Sequence, residues 1–191
     1  EATTVLRQIA SEVNAHLYFT GEDIDFSYRV ESSRTKGCHT RLSLTTPLSQ
    51  FEHLPVPLPG EHQALNCGLA LALLDQLKAQ GVQVDDEQAI SGLSETELSG
   101  RMEMICHEPR ILIDGAHNAA SVKALVRSIG QHIHYDSMIM IVGCSADKDL
   151  RGIMQQVATG ADKVIFTCAR NTPRAAEPRM LADIYTELSD G

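Results

Sequence analysis

An alternation that begins after Gly100 constrains this chain more than any other feature. Three short apolar runs, at 111–114, 138–142 and 163–167, each lead through a polar loop into a stretch with helical periodicity. The helical stripes are Val122, Leu125, Val126, Ile129 and Ile133; then Leu150, Ile153, Met154 and Val157; then Leu181, Ile184, Tyr185 and Leu188. Repeated strand–helix units with uninterrupted apolar strands predict a Rossmann-like α/β domain. Its mostly parallel sheet is expected to be covered on both faces, with right-handed crossovers. In such sheets ligands bind beyond the carboxyl ends of the strands. The loops that fall there are polar: Asp114 and His117 in the first, Ser145, Asp147, Lys148 and Asp149 in the second, and Arg170, Asn171 and Arg174 in the third. Cations and carboxylates converging on one rim suit a phosphorylated ligand. Asn118 and Asp149 also stand where helix caps belong.

The first half reads differently. Leu6, Ile9, Val13 and Leu17 predict an amphipathic helix over 4–17, and Ile24, Phe26, Tyr28 and Val30 alternate as a half-buried strand. Leu42 and Leu44 suggest a second strand. Residues 54–59 place prolines at every second position, which confines them to a sheet edge or an extended linker. Leu65, Leu69, Leu73 and Leu77, with Ala70, Leu71, Ala72 and Leu74 around them, predict a helix buried on nearly every side. Gly81 is placed to end it, and Asp85 to cap a short helix over 85–93. Asn66, in the first turns of the long helix, has two open uses: a bond to neighbouring backbone, or a base edge. Arg101, at the join of the halves, is open to reading as a surface arginine or as one that reaches a phosphate across a cleft.

A formal net charge of −9 argues against a nucleic-acid binder. No apolar run spans a membrane, and residues 1–4 lack the pattern of a secretory signal. Five scattered cysteines without a Cys-x-x-Cys favour reduced thiols in the cytoplasm and point to no metal site.

Gly60-Glu61-His62-Gln63-x-x-Asn66, Gly100-Arg101-Met102-Glu103, Asp114-Gly115-Ala116-His117-Asn118, Asp147-Lys148-Asp149 and Pro173-Arg174-Ala175 together resemble folylpolyglutamate synthase and the bifunctional dihydrofolate synthase, of the Mur ligase superfamily. The resemblance implies an ATP-dependent ligase that adds L-glutamate to folate or dihydropteroate through an acyl phosphate. Peptidoglycan ligases commonly carry tyrosine where this chain has Gly115, which favours the folate branch. Ala119 departs from the proline of many relatives.

The resemblance further implies that Asn66 contacts adenine, Arg101 the phosphates and Asp114 the ribose region. His117 and Lys148 would lie near the phosphate and the incoming glutamate. Residues 1–98 would be the tail of a central ATPase domain and 99–191 a C-terminal ligase domain. Relatives hold ATP and magnesium on a preceding phosphate-binding loop, whereas this chain has no Gly-Lys dipeptide. The expectation is therefore a fragment, inactive alone, of an enzyme that is a monomer when intact. A non-catalytic nucleotide-binding module and a peptidoglycan ligase fragment are the alternatives.

Overall fold

The computed structural model describes residues 2–34, 37–46 and 48–189. Helix α1 (Ala2–Glu12) is shorter than the periodicity predicts. The amide of Ala15 closes on Ala10 O at 2.8 Å, and Asn14 turns left-handed at φ 53°. The apolar stripe of α1 (Val5, Leu6, Ile9) stays exposed.

Strands β1 (Phe26–Ser33), β2 (Gly37–Thr45) and β3 (Gln50–Val56) form an antiparallel meander in that order. The proline-containing β3 is an edge, with Pro55 opposite Arg41. A register shift between Leu42 and Leu44 is accommodated by His53, whose φ is 54° and whose amide donates to Ser43 Oγ at 3.0 Å. One face of the meander places Leu42, Leu44, Phe51, Leu54 and Val56 on α2 (Glu61–Ala79). Each large apolar side chain so buried contributes roughly 1.5–3 kcal/mol.

Helix α2 is buried on one side only, against the expectation. Ala64, Cys67, Gly68, Leu71 and Ala72 face the meander, while Leu65, Leu69 and Leu73 are exposed. Gly68 sits against the Phe26 ring so closely that any Cβ would overlap it, which seats the small-residue face inward. Gly81, at φ 88°, ends the helix as predicted, and Asp85 caps α3 (Asp86–Ser94) by accepting from Gln88 N at 2.9 Å.

Beyond Gly100 the chain forms β4 (Glu103–His107), β5 (Arg110–Ile113), α4 (Ala119–His132), β6 (Ile139–Val142), α5 (Leu150–Ala158), β7 (Lys163–Phe166) and α6 (Pro178–Ser189). Strands β6 and β7 are parallel, in register Ile139↔Lys163 through Val142↔Phe166. The 111–114 run pairs antiparallel with β4, a strand the sequence reading passed over, so the parallel sheet is realised only in part.

Helices α4, α5 and α6 form one layer. Val122, Leu150, Ile153, Met154, Val157 and Leu181 pack with Met140, Val142, Val164 and Phe166, and Phe166 meets Tyr185 edge-on with ring centres 5.7 Å apart. The opposite face of β6 and β7, with Ile139, Ile141 and Ile165, is exposed, which corrects the two-faced expectation. The reason is topological. The one crossover between the described strands of this sheet, β6 through α5 to β7, places its helix on one side, and α4 and α6 pack beside α5 there. Covering both faces requires a reversal of strand order.

The two halves meet where α4 touches α2 and β2. Arg127 pairs with Glu61 at 3.0 Å, Glu61 also accepts from the Tyr28 hydroxyl, and His132 Nδ1 lies 3.4 Å from Cys38 O. The Glu61 hydrogen bond holds the Tyr28 phenol above its ordinary pKa. Among the described residues no helix is long and apolar enough to cross a membrane.

Candidate functional site

The first rim loop is built from its own backbone. Asn118 caps α4 by accepting from Ser121 N at 2.8 Å, and Ser121 Oγ answers by accepting from the amides of Asn118 and His117, each at 3.0 Å. This reciprocal cap fixes the turn that carries His117. The Nδ1 of His117 lies 2.9 Å from Gly115 O. A carbonyl can only accept, so Nδ1 carries the hydrogen, and the neutral ring leaves its Nε2 lone pair free.

Asp114 faces inward along the same turn. Its Oδ1 accepts from Ala116 N at 2.8 Å and its Oδ2 from Met102 N at 2.9 Å. The second bond crosses to the segment that joins the halves. That segment is tightly bent: Gly100 and Met102 have φ of 67° and 51°, Gly100 N donates to Glu103 Oε2 at 2.6 Å, and Gly115 N donates to Gly100 O at 2.8 Å. The exposed Arg101 guanidinium lies across Gly115, with Nη1 3.4 Å from Gly100 O. Arg101, Asp114 and His117 are thus brought together by bonds that no sequence pattern displays.

The second and third loops are stitched to each other. Ser145 bridges Ala175, Ala146 N donates to Arg174 O at 2.7 Å, and Ala176 N donates to Cys144 O at 2.8 Å. Arg174 Nη2 donates to Asp147 Oδ2 at 2.8 Å, and this hydrogen bond holds the Asp147 carboxyl below its ordinary range. Lys148 follows directly, half-buried, its amide donating to Ser145 O at 3.2 Å. Asp149 caps α5 by accepting from Gly152 N at 2.9 Å. The two capped helices start side by side: a Cβ on Gly152 would come within 3.2 Å of Ala119 Cβ. The third loop lines a depression of about 460 Å³ with Arg170, Asn171 and Thr172.

Asn66 stands apart. It is exposed rather than enclosed, and its Nδ2 donates to Gln63 Oε1 at 3.2 Å. Its helix reaches the second half through Glu61, which meets Arg127 in the later turns of α4, away from the helix start at the rim. Residues that sequence reasoning did not single out are Gly115 as a contact surface and Glu103 as a clasp on Gly100.

Among the described residues no three His, Cys, Asp or Glu side chains come together to hold a metal. Both oxygens of Asp114 already accept backbone bonds, and Asp147 is tied to Arg174. The residues present do not form a magnesium cage. They do offer exposed cations to a phosphate.

With this geometry in place, the family match follows. Residues 100–190 match the Mur ligase, glutamate ligase domain. The chain is similar to folylpolyglutamate synthases along almost its whole length. It is 31% identical over 134 residues to the dihydrofolate synthase/folylpolyglutamate synthase of Mycobacterium tuberculosis, covering 69% of this chain and 27% of the relative. It is 29% identical over 194 residues to a probable bifunctional folylpolyglutamate synthase/dihydropteroate synthase of Haloferax volcanii, covering 99% and 22%. The structure of the Mycobacterium tuberculosis folylpolyglutamate synthase complexed with ADP and AMPPCP superposes with a TM-score of 0.82 at 26% identity, over 97% of this chain and 40% of that one. The chain therefore spans well under half the length of the relatives it matches.

Proposed function

We propose that this chain is part of an ATP-dependent ligase that joins L-glutamate to the carboxylate of a folate or dihydropteroate through an acyl phosphate. The observation that carries this reading is the clasp of Arg101, Asp114 and His117 around Gly115, at the rim of a glutamate ligase domain. Residues 1–98 are the tail of the ATPase domain in this reading, and residues 99–191 are the ligase domain. The intact enzyme is a cytoplasmic monomer.

The chemistry assigned to the side chains is electrostatic. Acyl-phosphate formation gathers anionic groups, and fixed cations lower its barrier. Arg101 contacts the phosphates. Asp114 accepts a ribose hydroxyl on lone pairs that its backbone bonds leave free. Asn66 meets adenine when the halves close. Lys148 faces the transferred phosphoryl. His117 orients the incoming glutamate through Nε2, the nitrogen that its bond to Gly115 leaves unprotonated in the neutral ring. Magnesium, where bound, would neutralise charge on the transferred phosphoryl, and the described residues do not form its site.

The test is glutamate-dependent ADP release. The product of the complete reading frame should release ADP with a folate acceptor, and the 191-residue chain alone, lacking a Gly-Lys phosphate loop, should not. Turnover by the isolated chain, or extension of UDP-muramyl peptides in place of folates, overturns the reading.

A further inference from the structure

Gly115 meets two of the three clustered side chains, those of Arg101 and His117, and anchors the segment that carries Arg101. Its amide donates to Gly100 O, which anchors the segment that carries Arg101. Its carbonyl accepts from His117 Nδ1. Its bare Cα face is where the Arg101 guanidinium lies, and a Cβ built there would overlap Nη1 before anything else. The backbone does not need glycine at this position, because φ lies outside the left-handed region. What needs glycine is the approach of the guanidinium.

We infer that Gly115 is a positioning residue for Arg101, and that its missing side chain is what seats the guanidinium at the rim where a nucleotide's phosphates bind. The inference rests on the proposed reading of Arg101 as a phosphate contact. A free arginine carries rotamer entropy that binding must remove. Lying on Gly115, within reach of Gly100 O, Arg101 has already lost part of that freedom. A methyl at 115 displaces the flexible tip rather than the backbone, so the turn, the Asp114 bonds and the cap of α4 survive while the seat is lost.

A double-mutant cycle on the product of the complete reading frame tests this, with ADP affinity measured by titration calorimetry. Gly115→Ala should weaken ADP binding by roughly tenfold, the order expected for impairing one charge-assisted hydrogen bond, and should raise KM for ATP while leaving KM for glutamate unchanged. Arg101→Lys, which has no Nη1 to collide, should also bind ADP more weakly. The double variant should then bind ADP as Arg101→Lys does, because the added methyl has nothing left to displace. Additive losses in the double variant, or unchanged affinity in Gly115→Ala, overturn the inference. A separate Arg101→Ala variant with undiminished ADP affinity overturns the reading of Arg101 itself. General loss of folding by the methyl would appear equally in both backgrounds, and so as additivity.

Discussion

Both oxygens of Asp114 accept backbone hydrogen bonds, one within its own turn and one from Met102 across the join of the two halves. Asp114→Ala leaves two amides without their acceptor, so a loss of about 1–3 kcal/mol is expected in urea unfolding. Asp114→Asn keeps one acceptor oxygen and should lose less. Asp147 behaves differently, since its partner is a side chain. The Arg174 hydrogen bond depresses its pKa below the ordinary 3.8. A depressed carboxylate contributes stabilisation that is complete above the unfolded value and is lost as pH falls through the folded one. The Asp147 carboxyl resonance should therefore titrate below 3.8, and Arg174→Ala should move it upward. At this scale the sequence displays the residue types but not their partners. Asp114 and His117 are legible as rim residues because a polar run follows an apolar strand. The reach of Arg101 back over Gly115 depends on the left-handed turns at Gly100 and Met102, and methionine gives no hint of such a conformation.

Among the elements, the capped helices were the most legible, because Asn118, Asp149 and Asp85 each bond locally to the third residue beyond. Strands were legible where the apolar run was unbroken, as at β6 and β7. Strand β4, Glu103-Met-Ile-Cys-His, mixes polar ends with an apolar centre and is specified mainly by pairing with β5. Which side of an element is buried was harder to read, because apolar residues on both faces of a strand, as in Ile139-Met140-Ile141-Val142, are compatible with one helical layer or two. The layer that exists makes a sharp contrast. Met154 is fully buried while Ile141 is 71% exposed. Met154→Ala should cost about 2–5 kcal/mol, and Ile141→Thr should stay within about 0.5 kcal/mol. Urea midpoints at constant m-value check both.

Across the whole molecule two cores are separate, one between the meander and α2, the other between β6–β7 and the helices α4–α6. The ion pair Glu61–Arg127 and the contact of His132 with Cys38 O join them through a polar seam. His62 Nδ1 and His132 Nε2 are buried there with no hydrogen-bond partner among the described residues. A polar seam between independent cores permits relative motion of the halves, and closure of Asn66 towards the rim in the proposed ligase requires such motion. That there are two cores was legible from the change of periodicity; the seam was not, since its residues come from β1, β2, α2 and α4. The bare side of β6 and β7 carries a different consequence. Ile139, Ile141 and Ile165 meet water on a strand face whose other side is packed. An air–water boundary offers such a surface an apolar phase that requires no unfolding to reach. In dilute, agitated solution the folded chain should be lost to foam and vessel walls, and sulfate, which strengthens the burial of apolar surface, should hasten the loss.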